Sequence, residues 1–140
     1  MIVVDTSVVV AFMNAADAHH RLVADWMDAE TEDLVTTPLI VAEVDYLVAA
    51  RGGPEAAAAL RADLASGAYL VNWWSDAMAA VAAVADTYAG LRIGLADASL
   101  VALAERIGTI DIATLDQRHF RSVRPLGDRA EAFRLLPLDL

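Results

Sequence analysis

The chain of 140 residues contains no cysteine and no lysine. The absence of cysteine excludes disulfides, zinc–thiolate sites and thiol nucleophiles. Because lysine is absent, all 10 basic residues are arginines, and 20 acidic residues bring the formal net charge to −10. This charge argues against a protein that coats nucleic acid by bulk electrostatic attraction, so any anion-binding surface has to be a local patch.

The sequence also lacks a long uninterrupted apolar run. Its longest apolar segment, residues 77–91, is rich in alanine and contains Asp86, which makes it a poor transmembrane candidate. The apolar N-terminus has no basic flank and carries Asp5, which is unlike a signal peptide. We therefore expect a soluble cytoplasmic protein, with residues 1–140 forming one domain.

Apolar residues are abundant nevertheless. The hydrophobic fraction is 58% and the mean hydropathy is +0.46, both high for a soluble monomer. This composition predicts apolar surface left over for a partner. Trp73 and Trp74 are interpreted as core or interface anchors rather than base-stacking platforms.

Strand-like and helix-like segments alternate along the chain. Short β-branched, apolar segments predict strands at 2–4, 34–37, 69–72, 110–115 and near 133–136. Apolar residues at helical spacing predict helices at 8–13, 18–30, 39–50, 55–66, 76–89, 94–107 and, as a short turn or helix, 117–120. This alternation predicts an α/β protein, a three-layer α/β/α sandwich on a mostly parallel sheet.

Two carboxylates follow predicted strands directly. Asp5 comes after the first strand and Asp116 after the fourth. The carboxyl ends of parallel strands meet at one edge of a sheet, where ligands of α/β proteins bind. Taken alone, Asp5 is more simply interpreted as the cap of the next helix, and the other acids of the chain favour a site.

Two further acids lie on predicted helices. Asp97 falls in a first turn, where the helix dipole favours a negative charge, so a surface acid is the alternative there. Glu43 falls beside Ile40 in the apolar sector of its helix, and a carboxylate on a buried face is costly unless it is paired or metal-bound.

If these four acids converge, they repel one another. At an effective dielectric constant near 20, one pair of charges about 4 Å apart costs roughly 4 kcal/mol. A divalent cation removes that cost, and ligation by oxygen alone suits magnesium or manganese.

The motifs that carry these acids resemble PIN-domain ribonucleases. Their order, spacing and chain length are similar to the VapC-type toxins of bacterial toxin–antitoxin (VapBC) pairs, and the resemblance spans essentially the whole chain as a single PIN-like domain. The motifs are Ile2-Val3-Val4-Asp5-Thr6-Ser7, Glu43 after Thr37-Pro38, Leu95-Ala96-Asp97-Ala98, and Thr114-Leu115-Asp116-Gln117-Arg118-His119-Phe120.

The resemblance implies a Mg²⁺- or Mn²⁺-dependent endoribonuclease. Its catalytic acids are Asp5, Glu43, Asp97 and Asp116, with the metal held by Asp5, Asp97 and Asp116. In such a site the metal activates a water for in-line attack on the phosphodiester, which leaves 5′-phosphate products. Glu43 and Asp116 either complete the metal's ligands or place a second ion. Thr6 and Ser99 match hydroxyl positions that support the site indirectly.

Position 119 departs from the resemblance. Many relatives carry a further aspartate three residues after the counterpart of Asp116, and this chain has His119. We expect His119 either to touch a phosphate or to be an exposed surface histidine. Arg118, Arg121 and Arg124, together with His119, are the predicted RNA-binding patch, and a solvated turn is the alternative.

Partners are implied by the same resemblance. It implies a homodimer whose subunits each bind the cognate antitoxin, an amphipathic segment in a hydrophobic groove. An antitoxin arginine could bridge the carboxylates where the metal would bind.

Three rival functions are weighed against this one. A response-regulator receiver needs a lysine, which the chain lacks, and an aspartyl phosphohydrolase usually has a second aspartate at the position of Ser7. A PIN-like fold used as a non-catalytic interaction module is the remaining alternative, and the presence of all four acids speaks against it.

Overall fold

The apolar segment after Met1 forms the central strand of a five-stranded sheet. In the computed structural model, which describes all 140 residues, the strands run parallel in the order β3-β2-β1-β4-β5. Their bounds are β1 (Ile2–Val4), β2 (Leu34–Thr36), β3 (Leu70–Val71), β4 (Asp111–Ala113) and β5 (Arg134–Leu136). The predicted parallel α/β sheet is confirmed.

The central position of β1 explains its composition. Val3 is paired with Val35 of β2 on one side and with Ile112 of β4 on the other. All three residues of β1 are buried, since both faces of the sheet are covered. A strand covered on both faces is apolar throughout rather than alternating.

Six α-helices connect the strands. Their bounds are α1 (Thr6–Met13), α2 (His20–Ala29), α3 (Pro38–Ser66), α4 (Ala77–Thr87), α5 (Leu95–Ile107) and α6 (Gln117–Phe120), with a short 3-10 helix at Ala89–Leu91. Helix α1 packs against α2 and α3, while α4 packs against α5, which also contacts β1 and β4. This arrangement agrees with the predicted three-layer sandwich.

Helix α3 contains the two segments, 39–50 and 55–66, that are predicted as separate helices. Its start is capped by Thr37, whose Oγ1 accepts a hydrogen bond from the backbone N–H of Ile40 at 3.3 Å. At Gly53 the backbone has φ 73° and ψ −167°, a conformation open essentially only to glycine, and the helix kinks there. The two predicted helices, 39–50 and 55–66, are thus two arms, 38–52 and 54–66, of one kinked helix.

One hydrophobic core of 31 buried residues links the sheet to the helices on it. Helix α3 contributes Ile40, Val44 and Val48, which lie at helical spacing on one face. None of the helices combines the length and apolarity that crossing a bilayer requires.

Candidate active site

The carboxyl ends of β1 and β4 bring the two strand-end acids to one edge of the sheet. Val4 is paired with Ala113, and the N–H of Asp5 donates to the Ala113 carbonyl oxygen at 2.9 Å. Asp5 and the segment that leads to Asp116 therefore start side by side, as the strand pattern predicts.

Asp5 is held by hydroxyl groups. Its Oδ2 accepts hydrogen bonds from Ser7 Oγ and Thr114 Oγ1, both at 2.7 Å. The residue is 4% exposed, and burial raises the pKa of its carboxyl to about 6, although the two hydroxyl bonds counteract the rise. Asp5 is the N-cap residue of α1, but its side chain forms no capping hydrogen bond, so helix capping does not account for this residue.

Ser7 and Thr114 are site residues that the sequence does not predict. Ser7 Oγ also accepts from the N–H of Leu115 at 2.9 Å, and Thr114 Oγ1 accepts from the N–H of Asp116 at 3.0 Å. The two hydroxyls thus tie the segment after β4 to the segment after β1. The sequence indicates this role only by position, since Ser7 lies two residues after Asp5 and Thr114 lies two residues before Asp116.

Asp97, Asp116 and His119 form a second group beside Asp5. The Nδ1 atom of His119 lies 2.9 Å from Asp97 Oδ2 and 3.1 Å from Asp116 Oδ2. A hydrogen bond to an ionised carboxylate requires that Nδ1 carries the proton, because such a carboxylate only accepts hydrogen bonds. Burial raises the pKa of the Asp97 carboxyl, the contact with His119 lowers it, and the charges of Asp116 and Glu43 raise it further.

This contact corrects one of the two expectations for His119. The side chain is 24% exposed and its Nδ1 faces the two carboxylates, so it is not a solvated surface histidine. A contact of His119 with an RNA phosphate stays a prediction. One potential ligand atom from each of His119, Asp97 and Asp116 lies within 4.8 Å of the others.

Glu43 lies at the rim of the site and is exposed, which makes its predicted burial wrong. At about 100° per residue, Glu43 is about 100° from the centre of the buried arc formed by Ile40, Val44 and Val48. It therefore lies on the shoulder of α3, where it can line the cleft without being desolvated.

The predicted supporting hydroxyls lie near the acids without contacting their carboxylates. Ser99 Oγ is 2.7 Å from Thr37 Oγ1 and donates to the Ala96 carbonyl oxygen at 2.6 Å, which ties α5 to the start of α3. Thr6 Oγ1 is buried and has no hydrogen-bond partner. A supporting role for these two residues stays a prediction.

The acids line a cleft of about 460 Å³. Three ionisable residues of its lining, Asp17, His19 and Arg51, are not predicted by the sequence as part of the site. Arg51 follows Glu43 and Leu47 at intervals of four residues, the spacing that places three side chains on one helix face. The lining consists of Asp5, Thr6, Ser7, Val10, Asp17, His19, Glu43, Leu47, Arg51, Asp97, Leu115 and Asp116.

The predicted arginine patch lies outside this lining. The guanidinium of Arg121 is bound bidentately by Asp139, at 2.9 and 2.6 Å. The backbone N–H of Arg124 donates to the Tyr88 hydroxyl at 3.1 Å. Arg118 is exposed. A role for this patch in RNA binding stays a prediction.

The donor set fits a divalent cation. None of the carboxylates of Asp5, Glu43, Asp97 and Asp116 forms an ion pair with an arginine. The unpartnered Thr6 hydroxyl adds an oxygen among them. Hard oxygen donors with uncompensated negative charge are the ligands that Mg²⁺ and Mn²⁺ prefer, so the residues present suit such an ion.

Comparison with known proteins adds independent observations. The family model described as "PIN domain" matches residues 2–125, a range that contains all four acids. The chain is 42% identical over 126 residues to Ribonuclease VapC26 of Mycobacterium tuberculosis (strain ATCC 25618 / H37Rv), covering 89% of this chain and 93% of that protein.

Two solved structures have a similar fold. The first, M. tuberculosis VapC20, described as a sarcin–ricin loop cleaving toxin, matches with a TM-score of 0.77 and 24% identity over 83% of this chain and 90% of that one. The second, FitAcB from Neisseria gonorrhoeae, matches with a TM-score of 0.59 and 26% identity over 84% and 88% of the two chains.

Proposed function

The chain belongs to the PIN-domain family, and on that premise we propose that it is a metal-dependent endoribonuclease, the toxin of a toxin–antitoxin pair that cuts cytoplasmic RNA. The observation that carries the proposal is the convergence of Asp5, Asp97 and Asp116 in one cleft, with Glu43 at its rim. The 42% identity to a protein named as a ribonuclease supports the same class of reaction. Residues 1–140 would work as one PIN-like domain.

Asp5, Asp97 and Asp116 would hold the cation. When bound, Mg²⁺ or Mn²⁺ supplies Lewis-acid chemistry, the activation of water and the stabilisation of charge on the phosphate. The proposal requires no histidine or lysine as a general base, and water as the attacking group would leave 5′-phosphate ends.

The chain's own residues orient the acids for this reaction. Both hydroxyl bonds to Asp5 end on Oδ2, so they fix the plane of its carboxylate and leave Oδ1 without a side-chain hydrogen bond. His119 holds Asp97 and Asp116 at a common distance from Nδ1 and places an N–H between their charges. Glu43, at the solvent side, would complete the negative field where RNA enters.

The partners are also proposed. We propose a homodimer that binds a cognate antitoxin, because large apolar side chains remain exposed. Tyr46 is 73% exposed, Val71 48% and Trp73 38%. Val71 and Val41 line a groove between β3 and α3, which could accept an amphipathic segment. The non-catalytic interaction module is not favoured, since it leaves the acidic cleft without a role.

A cleavage assay tests the activity. Mixed-sequence RNA is incubated with the purified chain in Mg²⁺, Mn²⁺ or EDTA, and the ends of the products are analysed. We expect cleavage only with a cation, 5′-phosphate ends, and a loss of about 10²–10³-fold or more in Asp97→Asn.

The matched control is Asp45→Asn. Asp45 is an exposed acid of α3 outside the cleft, so this variant should cleave like the wild type. Cleavage that survives in EDTA, or in Asp97→Asn, would contradict the proposed function.

A further inference from the structure

Arg51 is the one arginine in a cleft of acids. Five carboxylates line the cleft, from Asp5, Asp17, Glu43, Asp97 and Asp116. The only other cationic candidate is His19, whose Nδ1 lies 3.6 Å from the Asp17 carboxylate. Without a bound cation, the carboxylates of the cleft repel an RNA backbone, and Arg51 is the one arginine of the lining that can offset this repulsion.

The Arg51 side chain is exposed and forms no ion pair, although the chain has 20 acidic residues. Glu43, the acid that lines the cleft from the same helical arm, lies eight residues earlier, which is about 12 Å along a helix axis. Arg51 thus does not neutralise the acidic cluster, and its five N–H donors are available to a ligand.

The position of Arg51 in α3 is defined by the kink. Glu43, Leu47 and Arg51 line the cleft from one straight helical arm, and the arm ends directly after Arg51, at Gly52 and Gly53. Arg51 therefore marks the end of this wall away from Glu43, about 12 Å along the axis, so it is placed to meet an RNA phosphate other than the one beside Glu43.

We propose that Arg51 is a substrate-positioning residue whose guanidinium binds an RNA phosphate flanking the scissile one. This inference rests on the proposed ribonuclease function. The planar guanidinium can bind two phosphate oxygens at once, which fixes the register of the strand as well as attracting it. Arg121 cannot offer the same fork freely, since Asp139 binds it.

The test compares Arg51→Ala with Arg61→Ala and Arg51→Lys. Arg61 is the matched control, because it is also exposed, unpaired and on α3 but lines a different groove. Steady-state cleavage of a short single-stranded RNA gives KM and kcat at several salt concentrations. Thermal unfolding checks that each variant folds.

We expect Arg51→Ala to raise KM about tenfold with kcat within twofold of the wild type, and to flatten the slope of log affinity against log salt by about 0.7. Arg61→Ala should change neither. Arg51→Lys should restore the salt slope, since the charge is kept, but only part of the affinity, since the fork is lost.

A salt slope in Arg51→Ala equal to that of Arg61→Ala would overturn the inference, as would a fall in kcat with KM unchanged. A wild type that cleaves no RNA would instead overturn the proposed function. In that case, fluorescence anisotropy with the same RNA decides about Arg51 separately, because an equal salt slope of binding for the two alanine variants overturns the phosphate contact.

Discussion

Asp5 is a buried carboxylate that would have to be ionised to bind the proposed cation, although its burial favours the protonated form. Burial raises its pKa to about 6, while bonds from Ser7 and Thr114 favour the charged form. The carboxyl in an unfolded chain has a pKa near 3.8. The folded state therefore holds this proton more tightly than the unfolded chain, and the charge destabilises the cation-free fold at neutral pH.

Asp5→Asn should consequently stabilise the cation-free protein in a pH-dependent way. Below about pH 4 Asp5 is protonated in both states of the wild type, so the variant gains little. Between about pH 4 and 6 the wild type loses stability as pH rises, and above that the gain of the variant levels off at on the order of 2–3 kcal/mol. Urea unfolding in EDTA across this range measures it. A variant less stable than the wild type at neutral pH would contradict the account.

The proposed cation would act on the two carboxylates that His119 contacts, Asp97 and Asp116. Without a cation, His119→Ala leaves Asp97 and Asp116 facing each other without the bridging N–H. We expect this variant to lower the free energy of unfolding by about 1–2 kcal/mol. With saturating Mn²⁺ the difference from the wild type should shrink, since the ion takes over the compensation. Arg118→Ala, one residue away and exposed, is the control. An equal loss in EDTA and in Mn²⁺ would show that His119 contributes by packing alone.

At the scale of elements, the kink in α3 decides what the helix presents to the cleft. Gly53 has a positive φ, and a Cβ added at this position would meet no atom within 4 Å, so backbone strain and not crowding would penalise a side chain. Gly53→Ala should lower the free energy of unfolding by about 1–3 kcal/mol. It should also lower RNA cleavage, because the angle between the two arms would change. Gly90→Ala, where φ is not positive and space is open, should be nearly neutral. Equal stability of the two variants would mean that the kink is not under such constraint.

The elements differ in how far the sequence predicts them. Strand β1, its partner β4 and the acids that follow them are predictable, because a β-branched apolar run ending in a carboxylate has few other interpretations. The exposure of Glu43 is not predictable. A helical wheel shows which sector of a helix is apolar, but it does not show which part of that sector meets the sheet.

The hydroxyl network of the site is equally hard to predict. Ser7 and Thr114 become partners of Asp5 only once two distant strands are paired, and no local pattern signals that pairing. The place of Arg51 in the cleft is also hard to predict. Its helical spacing from Glu43 is visible in the sequence, but the cleft that gives the spacing a meaning is not.

At the scale of the whole molecule, a cation should stabilise the fold. An ion that binds only the folded state, at about 100 times its dissociation constant, adds about 2.7 kcal/mol, which raises Tm by several degrees. We expect this with Mg²⁺ or Mn²⁺ in the wild type and much less in Asp97→Asn. Differential scanning calorimetry measures it, with Asp45→Asn as the control. An equal rise in Asp97→Asn would locate the ion elsewhere.

The proposed assembly into a dimer and with an antitoxin is also a property of the whole molecule. By light scattering after size-exclusion chromatography, the purified chain should be a dimer, and a small antitoxin should co-purify when the neighbouring gene is co-expressed. If an antitoxin arginine occupies the acidic cleft, excess Mg²⁺ should partly relieve inhibition, and replacing that arginine should weaken inhibition more than binding. A monodisperse monomer without a co-purifying partner would contradict this prediction.

The placement of β1 between β2 and β4 has a further consequence for the order of events during synthesis. Thr114, which holds the Asp5 carboxylate, is made 109 residues after it. At translation rates of about 5–20 residues per second, Asp5 waits roughly 5 to 20 s for its partner. During that interval the nascent chain still lacks Asp116 and, for most of the time, Asp97, so we expect it to be unable to cut RNA, including the messenger from which it is being read. The strand order thus delays the appearance of a destructive activity until β4 and the segment after it have been made.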